Sequence, residues 1–192
     1  MLAALSHSRP EGTRGRRPGA SAESSVVIVL GIDPGLASTG YGVVARRDGR
    51  LIALDGGVIS TAQSAAHERR LAQIHDAVGA LLGEHEPDAV ALEELYFGQN
   101  ARTAFAVGHA RGAVMLAAGL RGIPCSGYTP QQVKGAVCGS GRADKEQVAR
   151  MVRVLLGLAD DPAPDHAADA LAVAICHHNG APLSRALAEA GR

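Results

Sequence analysis

Apolar residues first become dense at Val26–Ile32 (VVIVLGI), a continuous β-branched run of the kind found in strands buried on both faces. Asp33-Pro34-Gly35 ends it, because proline cannot continue a central ladder. Gly40–Arg47 and Leu51–Ser60 predict two more strands, and Asp48-Gly49 between them signals a tight hairpin. These three strands predict an antiparallel meander. The period then changes. Leu71, Ile74, Val78, Leu81 and Leu82 form one helical stripe, and Pro87-Asp88 breaks it. Ala89–Leu92 predicts a short buried strand running into Glu93, and Ala101–Leu120 a second helix. In that helix Gly108 and Gly112, four apart, permit close approach of another element.

Ile123–Tyr128 predicts a fifth strand, and Thr129-Pro130 opens a short helix with proline at its first position. Asp144, with Gln147 three residues on, forms a capping box for the next helix. A final helix runs from Asp165 to about His177, apolar on nearly every side and therefore buried. The order predicts an α/β fold: a five-stranded mixed sheet, three antiparallel strands then two parallel, with helices on both faces.

Residues 1–24 carry no apolar period. Four arginines sit there among Gly, Ser, Pro and Ala, and the apolar Leu2–Leu5 precedes them, the reverse of a signal peptide's order. We expect a disordered tail over 1–24, one domain over 25–181, and a C-terminal tail over 182–192. A chain 46% apolar and 20% charged is not that of a disordered protein. No run approaches the roughly 18 apolar residues that span a bilayer, which leaves a cytoplasmic protein with no membrane partner. Cys125, Cys138 and Cys176 make an odd count with no CxxC spacing, so reduced thiols are expected. Cys176-His177-His178 lacks the second ligand pair a structural zinc needs.

The net charge is zero, but it is unevenly spread. Residues 98–150 hold seven Lys and Arg against Asp144 and Glu146, a net of +5, while residues 1–24 carry +2 and the rest −7. A basic middle beside an acidic remainder suits carboxylates that hold cations next to a surface that holds a polyanion.

Three acids stand where a purely structural acid is costly. Asp33 ends the central strand, Glu93 ends another after AVAL, and Asp169 lies one turn into the most apolar helix, with His166 three residues earlier on the same face. Buried carboxylates need a partner or a metal. Oxygen donors point to Mg²⁺ or Mn²⁺, the ions of two-metal phosphodiester hydrolysis.

Four blocks carry a resemblance: GIDPGLASTGYGVV (31–44), ALEELYFGQNA (91–101), QQVKGAVCGSGRADKEQVARMV (131–152) and DHAADALAVAI (165–175). Together they resemble the RuvC family, Holliday-junction resolvases of the RNase H superfamily. The likeness runs from about Val26 to Ala181. It implies a metal-dependent endodeoxyribonuclease of recombination and repair that resolves four-way junctions by paired symmetric nicks. The resemblance places catalytic and metal-binding roles on Asp33, Glu93 and Asp169, and on His166 where the family's pattern has an acid. It implies two Mg²⁺ per subunit, with Mn²⁺ able to substitute, and DNA contacts by Lys134 and Lys145 and a stacking role for Tyr96. Arg102 and Arg111 are further candidates for phosphate contact. Asp165 reads instead as a helix N-cap, and the Gly139–Arg142 loop as a source of backbone N–H groups for phosphate. A homodimer follows, since two symmetric cuts need two sites, as does a RuvA–RuvB branch-migration partner. The alternative is a non-catalytic or differently specific nucleic-acid-binding relative on the same fold. An actin-like ATPase, which opens on a similar GIDPG, needs a second large domain for which 192 residues leave no room.

Overall fold

A computed structural model describes residues 26–94, 101–160 and 165–190, side chains excepted at 101–103 and 181–190. The first three strands, β1 (Val27–Asp33), β2 (Ser38–Arg47) and β3 (Arg50–Ser60), form the expected meander. At its hairpin Asp48 and Gly49 both take positive φ, 52° and 78°, the mirror-image turn whose twist matches the strands it joins. Helix α1 (His67–His85) leads to β4 (Ala89–Glu93), and α2 (Ala101–Gly119) to β5 (Cys125–Tyr128). Then come α3 (Pro130–Cys138), α4 (Lys145–Leu156) and α5 (Asp165–Ala190). The sheet order is β3-β2-β1-β4-β5, with β1, β4 and β5 mutually parallel.

Period-two alternation sorts the strand side chains between two cores. Val29, Val44 and Ala91 face α3, α4 and α5, where Val133, Val148, Val152 and Ile175 are buried. Leu30, Ile32, Val43, Val90 and Leu92 face α1 and α2, against Ile74, Val78, Leu82 and Val114. Helices therefore cover both faces, and β1 and β4 are buried between them.

Two of the boundaries that differ from the sequence reading have a clear physical reason. β5 starts at Cys125 rather than Ile123, because the Ile123 N–H bonds to the Ala118 carbonyl and so closes the end of α2. α5 does not stop near His177 but continues to Ala190. Asn179 shows why: its Oδ1 accepts from Arg46 Nη2 (2.9 Å) and its Nδ2 donates to the Ala136 carbonyl (3.3 Å), so tertiary bonds hold the helix past its apolar stretch. Residues 1–24 lie outside the described residues.

A glycine seam sets how closely α5 lies on the sheet. A Cβ at Gly31 of β1 would collide with the Ala170 carbonyl oxygen, at Gly40 of β2 with that of His166, and at Gly42 with Leu171. Their missing side chains let the α5 backbone rest on β1 and β2.

Candidate active site

Ile32 of β1 pairs with Leu92 of β4 in parallel register, so the next residues, Asp33 and Glu93, leave the sheet at the same end. The loop after Asp33 is tied down. Thr39 Oγ1 donates to the Gly35 carbonyl and Thr61 Oγ1 to that of Leu36, both at 2.6 Å, and Arg70 Nε donates to Thr61 Oγ1 at 2.8 Å. The glycine seam then brings the first turn of α5 over this end of the sheet, with His166 above Gly40.

The result is a three-sided donor set. One ligand atom each of Asp33, His166 and Asp169 lies within 4.8 Å of the others. His166 Nδ1 is 2.8 Å from Asp33 Oδ2. Beside them Glu93, Lys134, Lys145 and Asp169 line an open cavity of about 180 Å³, floored by Val133, Val148 and Ala172. Burial, reinforced by the charges of Asp33 and Asp169 and by a hydrogen bond to Asp33, pushes the Glu93 carboxyl up to about 7, while Lys134 pulls the other way. Burial likewise raises Asp169, against the opposing pull of Lys145. These carboxylates crowd one another in partial shelter from water. That is the electrostatic signature of a place where a cation fits.

Lys145 begins α4 next to the capping box that the sequence predicts. Asp144 Oδ1 accepts from the Gln147 N–H at 2.8 Å, and Gln147 Oε1 accepts from the Asp144 N–H at 3.1 Å. Its Nζ lies 3.3 Å from Asp169 and 3.3 Å from Asp165. Burial would lower this ammonium's pKa, but the two carboxylates outweigh it and raise it.

A family profile described as crossover junction endodeoxyribonuclease RuvC matches residues 29–177. The chain belongs to the RuvC family. The RuvC of Moorella thermoacetica is 51% identical over 156 residues, which cover 81% of this chain and 93% of that one. The RuvC of Alkaliphilus metalliredigens is 48% identical over 155 residues, 80% and 94% of the two chains. Among solved structures, the T. thermophilus RuvC in complex with Holliday junction substrate superposes with a TM-score of 0.79 at 43% identity, covering 82% of this chain and 96% of that one. The fold is thus the RNase H-like one expected, and the chain is a nuclease of the RuvC type.

Within that RuvC frame the residues read from sequence sort unevenly. Asp33, Glu93, His166, Asp169, Lys134 and Lys145 converge. Arg111 does not. It lies on α2 with its Nε buried, and its charge is felt by Cys125 at the start of β5, the end of that strand away from Tyr128 and Glu93. Tyr96 and the side chain of Arg102 lie outside the described residues. The Gly139–Arg142 loop offers less than expected: Ser140 Oγ accepts from the Arg142 N–H and the Ser140 carbonyl from the Ala143 N–H. The Cys-His-His run does not converge on a metal. His178 meets the Val44 carbonyl at 2.9 Å, while His177 Nδ1 meets the Tyr128 hydroxyl at 2.9 Å.

Two features escaped the sequence reading. Asp165 is the first residue of α5, and its carboxylate holds Lys145 instead of serving only as a helix cap. The roles of Gly40 and Gly42 were also missed. Their signal was a pair of glycines two apart in a strand, which marks close approach of another backbone.

Proposed function

We propose that this chain nicks the four-way junction symmetrically, as a homodimer, by metal-dependent phosphodiester hydrolysis. The observation that carries this reading is the convergence of Asp33, His166 and Asp169, with Glu93 beside them, in a member of the RuvC family. The donor chemistry fits divalent ions: three carboxylates and an imidazole, crowded enough to raise Glu93, gain stability from added positive charge. Asp33, Glu93, His166 and Asp169 would hold two Mg²⁺ or Mn²⁺, which when bound supply an activated water and charge neutralisation at the leaving oxygen.

The chain's own groups do the rest. Lys134, on α3 at the cavity wall, offers a cation to the phosphate without leaving its helix. The tethered Asp33 loop and the glycine seam fix the spacing between acids that are far apart in sequence, which is what makes a site preorganised. A non-catalytic relative would not need this donor set intact.

The dimer reading rests on symmetry and on α2. Phe105, Met115 and Leu116 are exposed there and Leu120 just past its end, Phe105 and Leu120 at 70%, beside a largely apolar groove between α1 and α2 that includes Gly112. Cytoplasmic location accords with the thiols of Cys125, Cys138 and Cys176, none of them in a disulfide. Among the described residues no helix is long and apolar enough to cross a membrane.

The test is direct. The protein is incubated with a mobile four-way junction, and with linear duplex of the same sequence, with and without Mg²⁺. Paired symmetric nicks in the junction alone are expected, and Asp33→Asn, Glu93→Gln and Asp169→Asn each abolish them while junction binding survives. Cleavage of both substrates alike, or loss of binding together with folding in all three variants, would overturn the reading.

A further inference from the structure

Lys145 holds two carboxylates at once. Its Nζ is 3.3 Å from Asp169 Oδ2, inside the donor set, and 3.3 Å from Asp165 Oδ2, one helical turn earlier on α5. Asp165 is not part of the donor cluster, and its side chain is 81% exposed. An exposed pair of this kind adds little to stability, so its effect is on where the ammonium sits. The Asp144 capping box fixes the start of α4, leaving only the flexible lysine stem free to move.

We propose that Lys145 is a built-in counter-cation for Asp169 that a divalent ion must displace, and that Asp165 is a positioning residue that keeps the displaced ammonium at the cavity mouth. The inference rests on the reading of the acids as a metal site. A dication on Asp169 takes up the oxygen that Lys145 holds and repels Nζ. Without Asp165 the ammonium has only Asp169 to pair with or open solvent to enter. With Asp165 it stays one turn away, in a weak pair that a phosphate oxygen breaks easily. Metal loading and the release of a phosphate-binding cation are then one event, with no movement of backbone.

Mn²⁺ binding to the DNA-free protein, measured by calorimetry, separates these claims. Binding to the parent, lost in Asp169→Asn, tests the metal reading by itself. Given that binding, Lys145→Met should bind Mn²⁺ about two- to fivefold more tightly, the range measured for exposed ion pairs. Asp165→Asn should bind it about twofold more weakly, because Lys145 then rests on Asp169 alone, and Asp165→Glu should restore the parent value. In the Lys145→Met background, Asp165→Asn should have no effect. Equal Mn²⁺ affinity in the parent and Lys145→Met overturns the proposal. So does an Asp165→Asn effect of the same size with and without Lys145, which would make Asp165 an ordinary long-range charge. Thermal melts of each variant keep the comparison to folded protein.

Discussion

His166 Nδ1 lies 2.8 Å from Asp33 Oδ2, joining the first turn of α5 to the end of β1 across 133 positions of chain. In the proposed metal site an imidazole thus stands beside three carboxylates, those of Asp33, Glu93 and Asp169. Imidazole suits Mn²⁺ better than Mg²⁺. Cleavage should therefore be supported by Mn²⁺ at lower concentration than by Mg²⁺, and His166→Asp should remain active with its preference moved toward Mg²⁺. His166→Ala should lose roughly 10–100-fold in metal affinity or cleavage. Metal titrations of cleavage check this, and parent-like cleavage by His166→Ala in both metals would leave the site to Asp33, Glu93 and Asp169.

Glu93 makes the metal-free fold pH-dependent. Folded, it keeps its proton up to about 7, whereas its ordinary value is 4.5. Between those values the folded state binds more protons than the unfolded one, so metal-free stability falls as pH rises through the window and levels off above it. Glu93→Gln should flatten this slope and raise the metal-free melting temperature at pH 8, on the order of 1 kcal/mol after solvent screening, even as it abolishes cleavage. Melting curves from pH 4.5 to 8 in chelator measure both effects, and a parent-like slope in the variant would return the carboxyl to an ordinary one.

Lys134 opposes the rise in Glu93. Lys134→Ala should thus shift the acidic limb of the cleavage profile to higher pH, since metal must compete with a more firmly held proton. It should also reduce the salt slope of junction binding by about one counterion. An unmoved pH limb and salt slope would make Lys134 a solvated surface charge.

Gly40 lies under the His166 carbonyl. Gly40→Ala must lift the first turn of α5, because the obstacle is backbone and cannot rotate away. Overpacking of this kind costs roughly 1–3 kcal/mol. A lower melting temperature should come with weakened Mn²⁺ binding, as His166 and Asp169 move from Asp33. Gly49→Ala, at the distant hairpin where φ is 78°, should also destabilise but leave Mn²⁺ affinity unchanged. Equal Mn²⁺ affinity in parent and Gly40→Ala would mean the seam serves stability alone.

The sequence by itself determined most of the fold and singled out the acids that converge at one end of the sheet. The antiparallel meander followed from local signals such as Asp48-Gly49, and burial on both faces from the continuous apolar run of β1. Asp33, Glu93 and Asp169 were legible because each interrupts an apolar element, where an acid is costly without a partner. Other features were decided only in three dimensions, because they depend on residues distant in sequence. Asp165 looked like a cap until Lys145, twenty positions earlier, was seen beside it. That Arg111 lies beside Cys125 on α2, with its Nε buried and apart from the converging acids, was likewise not legible. That α5 passes His177 was not legible because Arg46 and Ala136, distant in sequence, hold Asn179. Periodicity reports how an element divides between core and solvent. Which charge meets which, and how closely α5 rests on Gly31, Gly40 and Gly42, depends on packing, which fixes distances that no local pattern encodes.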